Sequence, residues 1–286
     1  MGSNKILTFL EMIDFKNALF NLPFAYLGAF LAVRGLPSGY HLFWITMAMI
    51  GARTAAMALN RVIDRHIDAR DPRTAVRPIP SGRVSVVVGY LAIILSFVLL
   101  FVSAAKLNWL CVELLPFAVF ILVIYSYMKR FSWTAQLVLG LASAMGPVGS
   151  WIAITGRFNL APVLLGLAVG FWVAGLDTIY SCQDREFDMK EGLHSIPVRF
   201  GVAGALKIAT VMHILTVVLL VASGITLQLG WWFLLGVFLV AAVLVVEHSM
   251  VSASDFSKIN TASFAVNRYV GIVVLLFSLL DLFSLN

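Results

Sequence analysis

The chain has 286 residues, of which 61% are hydrophobic and only 12% are charged, and its mean hydropathy is +0.96. Soluble globular domains are about 45–50% apolar and about 25% charged, so this composition excludes an ordinary soluble domain. The formal net charge of +6 does not indicate a nucleic-acid partner, because the basic residues lie at the ends of apolar segments.

Nine apolar segments are long enough to cross a bilayer as helices, which takes about 20 residues each. Backbone groups in lipid must be satisfied internally by helices or a closed barrel, and a barrel would show shorter, alternating segments. The first apolar run lacks a small-residue cleavage signal and is expected to be retained. We predict an all-α polytopic membrane protein, with residues 1–286 as one domain and helices over 17–35, 41–63, 84–105, 109–128, 134–154, 161–183, 204–225, 229–249 and 264–284.

Basic residues are concentrated on one side of the predicted membrane. The loops on the opposite side contain only Arg34, Lys106 and Arg157. Short loops rich in lysine and arginine remain in the cytoplasm. We therefore expect a multi-pass protein of the inner membrane, with its N-terminus inside and its C-terminus outside.

The second predicted helix ends in a polar stretch, NRVIDRHIDARDPRT, over residues 60–74. Asn60, Asp64 and Asp68 are spaced by four residues, and side chains with this spacing share one face of a helix. This stretch, the first acidic stripe, lies on the cytoplasmic side of the predicted topology.

A second stretch of the same kind, DTIYSCQDREFD, ends the sixth predicted helix. It places Asp177, Asp184 and Asp188 on one face, with Tyr180 alongside, and we name it the second acidic stripe. Both stretches contain the pattern Asp-Arg-x-x-Asp, as DRHID and DREFD. The second copy begins at Asp184, which is 120 residues after Asp64, where the first copy begins. The repetition predicts duplicated halves over about 17–128 and 134–249, with the helix over 264–284 added.

Carboxylates gathered at one membrane face repel one another unless cations lie between them. Mg²⁺ takes one or two carboxylates and completes its shell with substrate phosphate and water. The two stripes therefore predict Mg²⁺ ions that hold a diphosphate. The alternative is that these aspartates are helix-end charges paired with neighbouring arginines.

Basic residues follow both stripes and are candidates for binding the diphosphate, since arginine and lysine are the usual phosphate partners. Topology alone also predicts basic residues on this side. The candidates are Arg70, Arg73, Arg77, Lys129, Arg130 and Lys190.

Arg53 differs from these because it lies inside a predicted span, where a charged residue is by default a functional hypothesis. We predict that Arg53 binds a second, anionic substrate. It could instead neutralise the carboxylates.

The motifs NRVIDRHID, ARDPRT…RPIPSG and DTIYSCQDREFD, the last running into KEGLHSIPVRFG, resemble the UbiA superfamily of intramembrane aromatic prenyltransferases. The resemblance spans essentially the whole chain and is strongest to 4-hydroxybenzoate polyprenyltransferases, including those of the futalosine menaquinone branch. One departure is Lys16-Asn17, where the family has an acidic-histidine pair, and it leaves the acceptor side open.

The resemblance implies a mechanism and a ligand for each candidate residue. A polyprenyl diphosphate would be bridged by Mg²⁺ to both stripes, with Asn60, Asp64 and Asp68 on one ion and Asp184 and Asp188 on the other. Asp177 would orient or deprotonate the acceptor hydroxyl, and Tyr180 would stabilise the allylic cation. Arg53 would bind the carboxylate of an aromatic acid.

The expected acceptor is 4-hydroxybenzoate or a related acid such as dihydroxynaphthoate, in ubiquinone or menaquinone biosynthesis. A tetrapyrrole or lipid glycerol phosphate acceptor is the alternative within the family. A CDP-alcohol phosphotransferase would carry one compact motif rather than two. An ion transporter would place its acidic sites near the bilayer midplane.

Overall fold

The computed structural model describes residues 5–14 and 22–284, and in this part of the chain it is helical without β-strands. A 3₁₀ turn spans Cys182–Asp184, and a π-helical turn spans Thr261–Val266. The helices are α1 Lys5–Met12, α2 Leu22–Val33, α3 Gly39–Ile63, α4 Arg65–Asp68, α5 Val86–Leu107, α6 Trp109–Met128, α7 Ala135–Thr155, α8 Leu160–Ser181, α9 Arg185–Lys190, α10 Ile196–Thr226, α11 Trp231–Ser249 and α12 Val270–Ser284.

Among the described residues, eight helical segments are long and apolar enough to cross a membrane, and the shorter α2 is also apolar. The prediction of an all-α polytopic membrane protein is thereby confirmed, and the count of nine is approximate. The start of the first predicted helix, residues 17–21, lies outside the described residues.

The seventh predicted helix begins at Ile196 rather than near residue 204. Pro197 occupies the first turn, where its missing N–H is not needed. Gly201 interrupts the helical backbone with φ +70° and ψ 169°, a left-handed region that glycine enters without steric cost. The apolar pattern of the sequence did not indicate this extra kinked turn.

Side-chain caps fix where several helices begin. Ser38, Ser85, Asn108 and Asn159 each accept a hydrogen bond from a backbone N–H of the first turn that follows. Such caps satisfy amides that have no partner within the helix. Each of these four helices therefore begins at the residue directly after its cap.

Small residues allow the central helices to approach closely. A Cβ on Gly140 of α7 would collide with the backbone of Gly170 of α8, and one on Gly28 of α2 would collide with the backbone of Pro147 of α7. Membrane helices lack a hydrophobic drive to associate and rely on this kind of packing. Around it, Phe24 and Trp172 form a core with ring centroids 5.3 Å apart.

A buried carboxylate lies at the end of the bundle opposite the acidic stripes. Asp281 of α12 is 1% exposed and accepts hydrogen bonds from the backbone N–H groups of Gly230, at 2.6 Å, and Phe233, at 3.4 Å. An anion is favoured at a helix N-terminus by the helix dipole and the free amides. Asp281 therefore has a structural explanation as the cap of α11.

Candidate functional site

A cavity of about 170 Å³ lies where α3, α6 and α8 end on one side of the bundle. The loop that follows α4 and the short helix α9 close over it. The residues that line it are Asn60, Asp64, Ile67, Asp68, Asp71, Arg73, Thr74, Arg77, Tyr125, Ser126, Lys129, Ala135, Asp177, Tyr180, Ser181, Asp184, Phe187, Asp188 and Leu193. Both acidic stripes therefore face one space.

The first stripe retains helical spacing although α3 ends at Ile63. The backbone N–H of Asp64 donates to the Asn60 carbonyl at 2.9 Å, and that of Asp68 donates to the Asp64 carbonyl at 2.8 Å. The Asn60 amide also donates to Oδ2 of Asp64 at 2.7 Å. Burial raises the pKa of Asp64 above its ordinary value, and Arg130 opposes that shift.

The second stripe is bound to groups from other elements. Nη2 of Arg73 lies 2.8 and 2.9 Å from the two carboxylate oxygens of Asp184. Nζ of Lys129 lies 3.6 Å from Oδ2 of Asp188. Burial lowers the pKa of Lys129, but the surrounding carboxylates, Asp188 first, outweigh burial and the pKa is raised. Lys129 is therefore a cation fixed among carboxylates.

Each carboxylate of the two stripes that could bind a metal has a basic partner. Arg130 contacts Asp64 at 2.8 Å and Arg77 contacts Asp68 at 2.6 Å, in addition to the pairs formed by Arg73 and Lys129. These cations lie between the carboxylates, as the repulsion among the carboxylates requires. Repulsion alone therefore does not decide between Mg²⁺ and the alternative of arginine-paired helix-end charges.

The donor set still fits a hard divalent cation. Oδ2 of Asp68 and Oδ2 of Asp188 are buried and accept no hydrogen bond, although Nζ of Lys129 lies 3.6 Å from the latter. Each stripe therefore has one oxygen with capacity to bind a cation. No cluster of three or more His, Cys, Asp or Glu side chains with metal-binding geometry occurs in the described ranges. That combination suits Mg²⁺, which binds through one or two carboxylates and takes its other ligands from substrate phosphate and water.

Aromatic and acidic groups form the inner end of the cavity. Asp177 precedes Asp184 by about two helical turns, and Tyr180 lies between them along the chain. The Tyr180 ring packs edge-on against Phe264 of the π-helical turn, with centroids 5.0 Å apart. Arg73 donates from Nη1 to the Tyr180 hydroxyl at 3.3 Å. Tyr180 is thus held on two sides.

Sequence reasoning missed Tyr125, which lines this inner end from α6. The available signal was its position four residues before Lys129, which places both side chains on one helix face. An uncharged aromatic residue in an apolar helix gave no other indication.

Arg53 lies within α3 and is not part of the cavity lining. Its Nε is buried without a hydrogen-bond partner. Among the described residues, the ion pairs of the stripes do not include Arg53. Both its predicted role toward the acceptor and the alternative, neutralising the carboxylates, stay predictions.

Three of the predicted diphosphate ligands lie outside the cavity. Arg70 and Arg130 line a neighbouring cavity. Arg130 is held there because Nη1 donates to the Ser126 carbonyl at 2.7 Å. Lys190 is exposed, since it follows Asp188 by two positions and residues so spaced do not share a helix face.

Comparison with known proteins identifies the family. The sequence pattern of the UbiA prenyltransferase family matches residues 21–269. The chain belongs to the UbiA prenyltransferase family. It is therefore an integral membrane prenyltransferase, and the resemblance seen in its motifs is confirmed.

Relatives in this family share much of the chain. The 4-hydroxybenzoate octaprenyltransferase of Ectopseudomonas mendocina (strain ymp) is 32% identical over 256 residues, covering 88% of this chain and 84% of that protein. The enzyme of the same name from Vibrio cholerae serotype O1 (strain M66-2) is 30% identical over 249 residues, covering 85% of each.

Solved UbiA structures share the fold. The apo structure of a UbiA homolog from Aeropyrum pernix K1 has a TM-score of 0.84 and 32% identity, covering 93% of this chain and 98% of that one. A UbiA homolog from Archaeoglobus fulgidus, solved bound to GPP and Mg²⁺, has a TM-score of 0.75 and 22% identity, covering 97% and 98%.

Proposed function

We propose that this UbiA-family enzyme transfers a polyprenyl group from an isoprenoid diphosphate to a hydroxy-aromatic acid, 4-hydroxybenzoate or dihydroxynaphthoate, in ubiquinone or menaquinone biosynthesis. The observation that carries the proposal is the convergence of two carboxylate stripes and three cations on one cavity, with Asp177, Tyr180 and Tyr125 at its inner end. The names of the relatives support the aromatic acid. A UbiA homolog with prenyl diphosphate and Mg²⁺ bound supports the donor.

The donor's diphosphate would lie between the stripes. Asn60, Asp64 and Asp68 on one side, and Asp184 and Asp188 on the other, would hold Mg²⁺, which when bound supplies positive charge to the leaving diphosphate. Lys129, Arg73 and Arg77 line the same space. When the aspartates of the stripes bind Mg²⁺ instead, the N–H groups of these three basic residues can donate to diphosphate oxygens.

Breaking the allylic C–O bond sends its electron pair to the diphosphate and leaves a carbocation. Lys129 is suited to stabilise that departing charge, because it is a partly buried cation already positioned among carboxylates. The face of the Tyr180 ring, held by Phe264 and Arg73, would stabilise the cation.

The acceptor would enter the inner end with its ring beside the cation. A ring carbon next to the phenolic hydroxyl forms the new C–C bond, and the displaced proton must leave. Asp177 is the carboxylate of the lining nearest the membrane interior and would orient or deprotonate the hydroxyl. Arg53, whose buried Nε makes no hydrogen bond, would bind the acceptor's carboxylate.

The proposed orientation places the cavity at the cytoplasmic face of the inner membrane, with the N-terminus inside and the C-terminus outside. The support is the charge distribution, since short lysine- and arginine-rich loops remain in the cytoplasm. The water-soluble acid would then be available from the cytoplasm, while the isoprenoid tail lies in lipid.

The test is turnover of purified protein with one labelled polyprenyl diphosphate and a panel of acceptors, read by product mass. We expect prenylated hydroxy-aromatic acid in Mg²⁺ and none in EDTA. Asp64→Ala and Asp184→Ala should abolish turnover because each removes a metal-binding oxygen. Glu113→Ala, an exposed acid at the far end of α6, is the control and should retain activity.

Activity in EDTA, or in either aspartate variant, would contradict the role of the stripes. A product formed only with a tetrapyrrole or lipid glycerol phosphate would contradict the acceptor and leave the family assignment intact.

A further inference from the structure

A second cavity, of about 380 Å³, lies beside the first and is not used by the mechanism above. Ile67 and Leu193 line both cavities, so these two side chains form the partition between them. The residues that line the second cavity are Ile63, His66, Ile67, Arg70, Arg130, Glu191, Gly192 and Leu193. We call this space the vestibule.

The vestibule combines a basic rim with an apolar wall. Arg70, Arg130 and His66 provide donors, while Ile63, Ile67 and Leu193 provide apolar surface. Small-molecule sites have this composition, in which apolar surface binds the body of the ligand and a few polar groups fix its orientation. A flat ring that bears a carboxylate matches both parts.

Arg70 is the cation of the vestibule that is free to change partner. Arg130 is already bonded to Ser126, Ile63 and Asp64. Arg70 instead contacts Glu191 at 2.6 Å, with 56% of the arginine and 22% of the glutamate side chain exposed. An incoming carboxylate can replace Glu191 on Arg70 and leave no buried charge unpaired.

The vestibule is lined by residues at and just beyond the ends of spanning helices, with Ile63 the last residue of α3. Arg70 follows α4, and Glu191, Gly192 and Leu193 follow α9. The two substrates of the proposed reaction reach the enzyme from different environments. An isoprenoid tail partitions into lipid, whereas a hydroxybenzoate dissolves in water. A water-facing entrance next to the reaction cavity is therefore suited to the acceptor.

We propose that the vestibule is the docking site of the aromatic carboxylate acceptor, where Arg70 exchanges Glu191 for the ligand's carboxylate before the ring passes Ile67 and Leu193. This inference rests on the proposed function. Inorganic diphosphate, the other anion of the reaction, has no apolar part to contact Ile63, Ile67 and Leu193.

The experiment compares Arg70→Gln, Glu191→Gln and Lys190→Gln. Each is at a surface-accessible position, so folding should be retained. Lys190→Gln is the matched control, because it removes one positive charge next to Glu191 but outside both cavities. Two measurements are made on each: equilibrium binding of 4-hydroxybenzoate without metal or donor, and kcat/KM for that acid with the donor saturating.

We expect Arg70→Gln to weaken 4-hydroxybenzoate binding and lower kcat/KM about 3- to 10-fold, as for a partly exposed charge contact. Glu191→Gln removes the competing carboxylate, so it should shift both quantities in the opposite direction. The KM for the prenyl diphosphate should be unchanged, and Lys190→Gln should resemble the wild type.

Equal effects of Arg70→Gln and Lys190→Gln would overturn the proposal, since they would reflect net charge alone. It would also be overturned if Arg70→Gln relieved inhibition by inorganic diphosphate while 4-hydroxybenzoate binding stayed constant. Failure of the wild type to prenylate 4-hydroxybenzoate would instead refute the proposed function, and the binding measurements would still test the vestibule.

Discussion

Lys129 is the residue on which the charges of both acidic stripes act together. Its ammonium nitrogen lies 3.6 Å from Oδ2 of Asp188, and the carboxylates of both stripes, Asp188 first, raise its pKa against the opposing effect of burial. The same position makes it the strongest candidate for the leaving diphosphate.

Lys129→Ala should weaken use of the prenyl diphosphate by about 10- to 100-fold, since a charge-assisted hydrogen bond contributes about 1.5–3 kcal/mol. Steady-state kinetics with varied donor measure this. Lys129→Arg keeps the charge and should recover part of the loss, whereas Lys190→Ala should have little effect. Unchanged donor kinetics in Lys129→Ala would show that Lys129 does not bind the diphosphate and that its position reflects only the excess of basic residues on this side of the membrane.

Arg53 tests the acceptor side. If Arg53 binds the acceptor's carboxylate, Arg53→Ala should raise the KM for the aromatic acid and barely change the KM for the donor, because Arg53 does not line the cavity that would hold the diphosphate. Both KM values and the Mg²⁺ midpoint are measured in this variant. Equal damage to both substrates with a shifted Mg²⁺ midpoint would show that Arg53 serves the carboxylates instead.

Among the single residues of the site, those that recur at a regular helical spacing could be predicted from the sequence. Asn60, Asp64 and Asp68 were found by their period of four, and the structure places them on one wall of the cavity. Their ion-pair partners were not predictable, because contacts such as Arg73 with Asp184 join residues 111 positions apart. Spacing along one helix contains no information about them.

At the scale of elements, the π-helical turn over Thr261–Val266 positions part of the site. It presents Phe264 to Tyr180. Asn267 holds it to α8 by accepting from Nε1 of Trp172 at 2.8 Å and by donating to the Ala262 carbonyl at 2.9 Å. Both bonds are buried, and the amide makes the two at once because its oxygen accepts and its nitrogen donates.

Asn267→Ala would leave the Trp172 N–H and the Ala262 carbonyl buried without partners, at about 1–3 kcal/mol each. We expect a lower Tm in detergent and a reduced kcat, because the Phe264 contact to Tyr180 loosens. Arg268→Ala changes the exposed neighbour and is the control. A Tm equal to that of the control would show that the turn does not depend on Asn267.

Hydropathy predicted that the secondary-structure elements are helices, but it did not predict the kink and the turn within them. Long apolar runs predicted helices that the structure confirms, because in lipid the backbone has few other choices. The kink at Gly201 and the π-helical turn before α12 arise from tertiary contacts and local backbone geometry. Neither leaves a periodic signal in the sequence.

At the scale of the molecule, the positive-inside pattern predicts which side the loops occupy. In a background with Cys111→Ser and Cys182→Ser, Lys106→Cys should react with a membrane-impermeant maleimide in spheroplasts. Lys190→Cys should react only after the membrane is opened. Both positions are exposed, so accessibility to solvent does not differ between them. The reverse labelling would invert the proposed orientation.

The ion pairs of the cavity have a consequence for biogenesis. Arg130 with Asp64, Arg73 with Asp184 and Lys129 with Asp188 join different elements, so the loops can come together during assembly without waiting for a divalent cation. Zinc-finger domains differ, because they remain unfolded until metal binds. A newly inserted chain in a magnesium-starved cell should therefore reach its final fold, and activity should return on adding the ion without refolding or new synthesis.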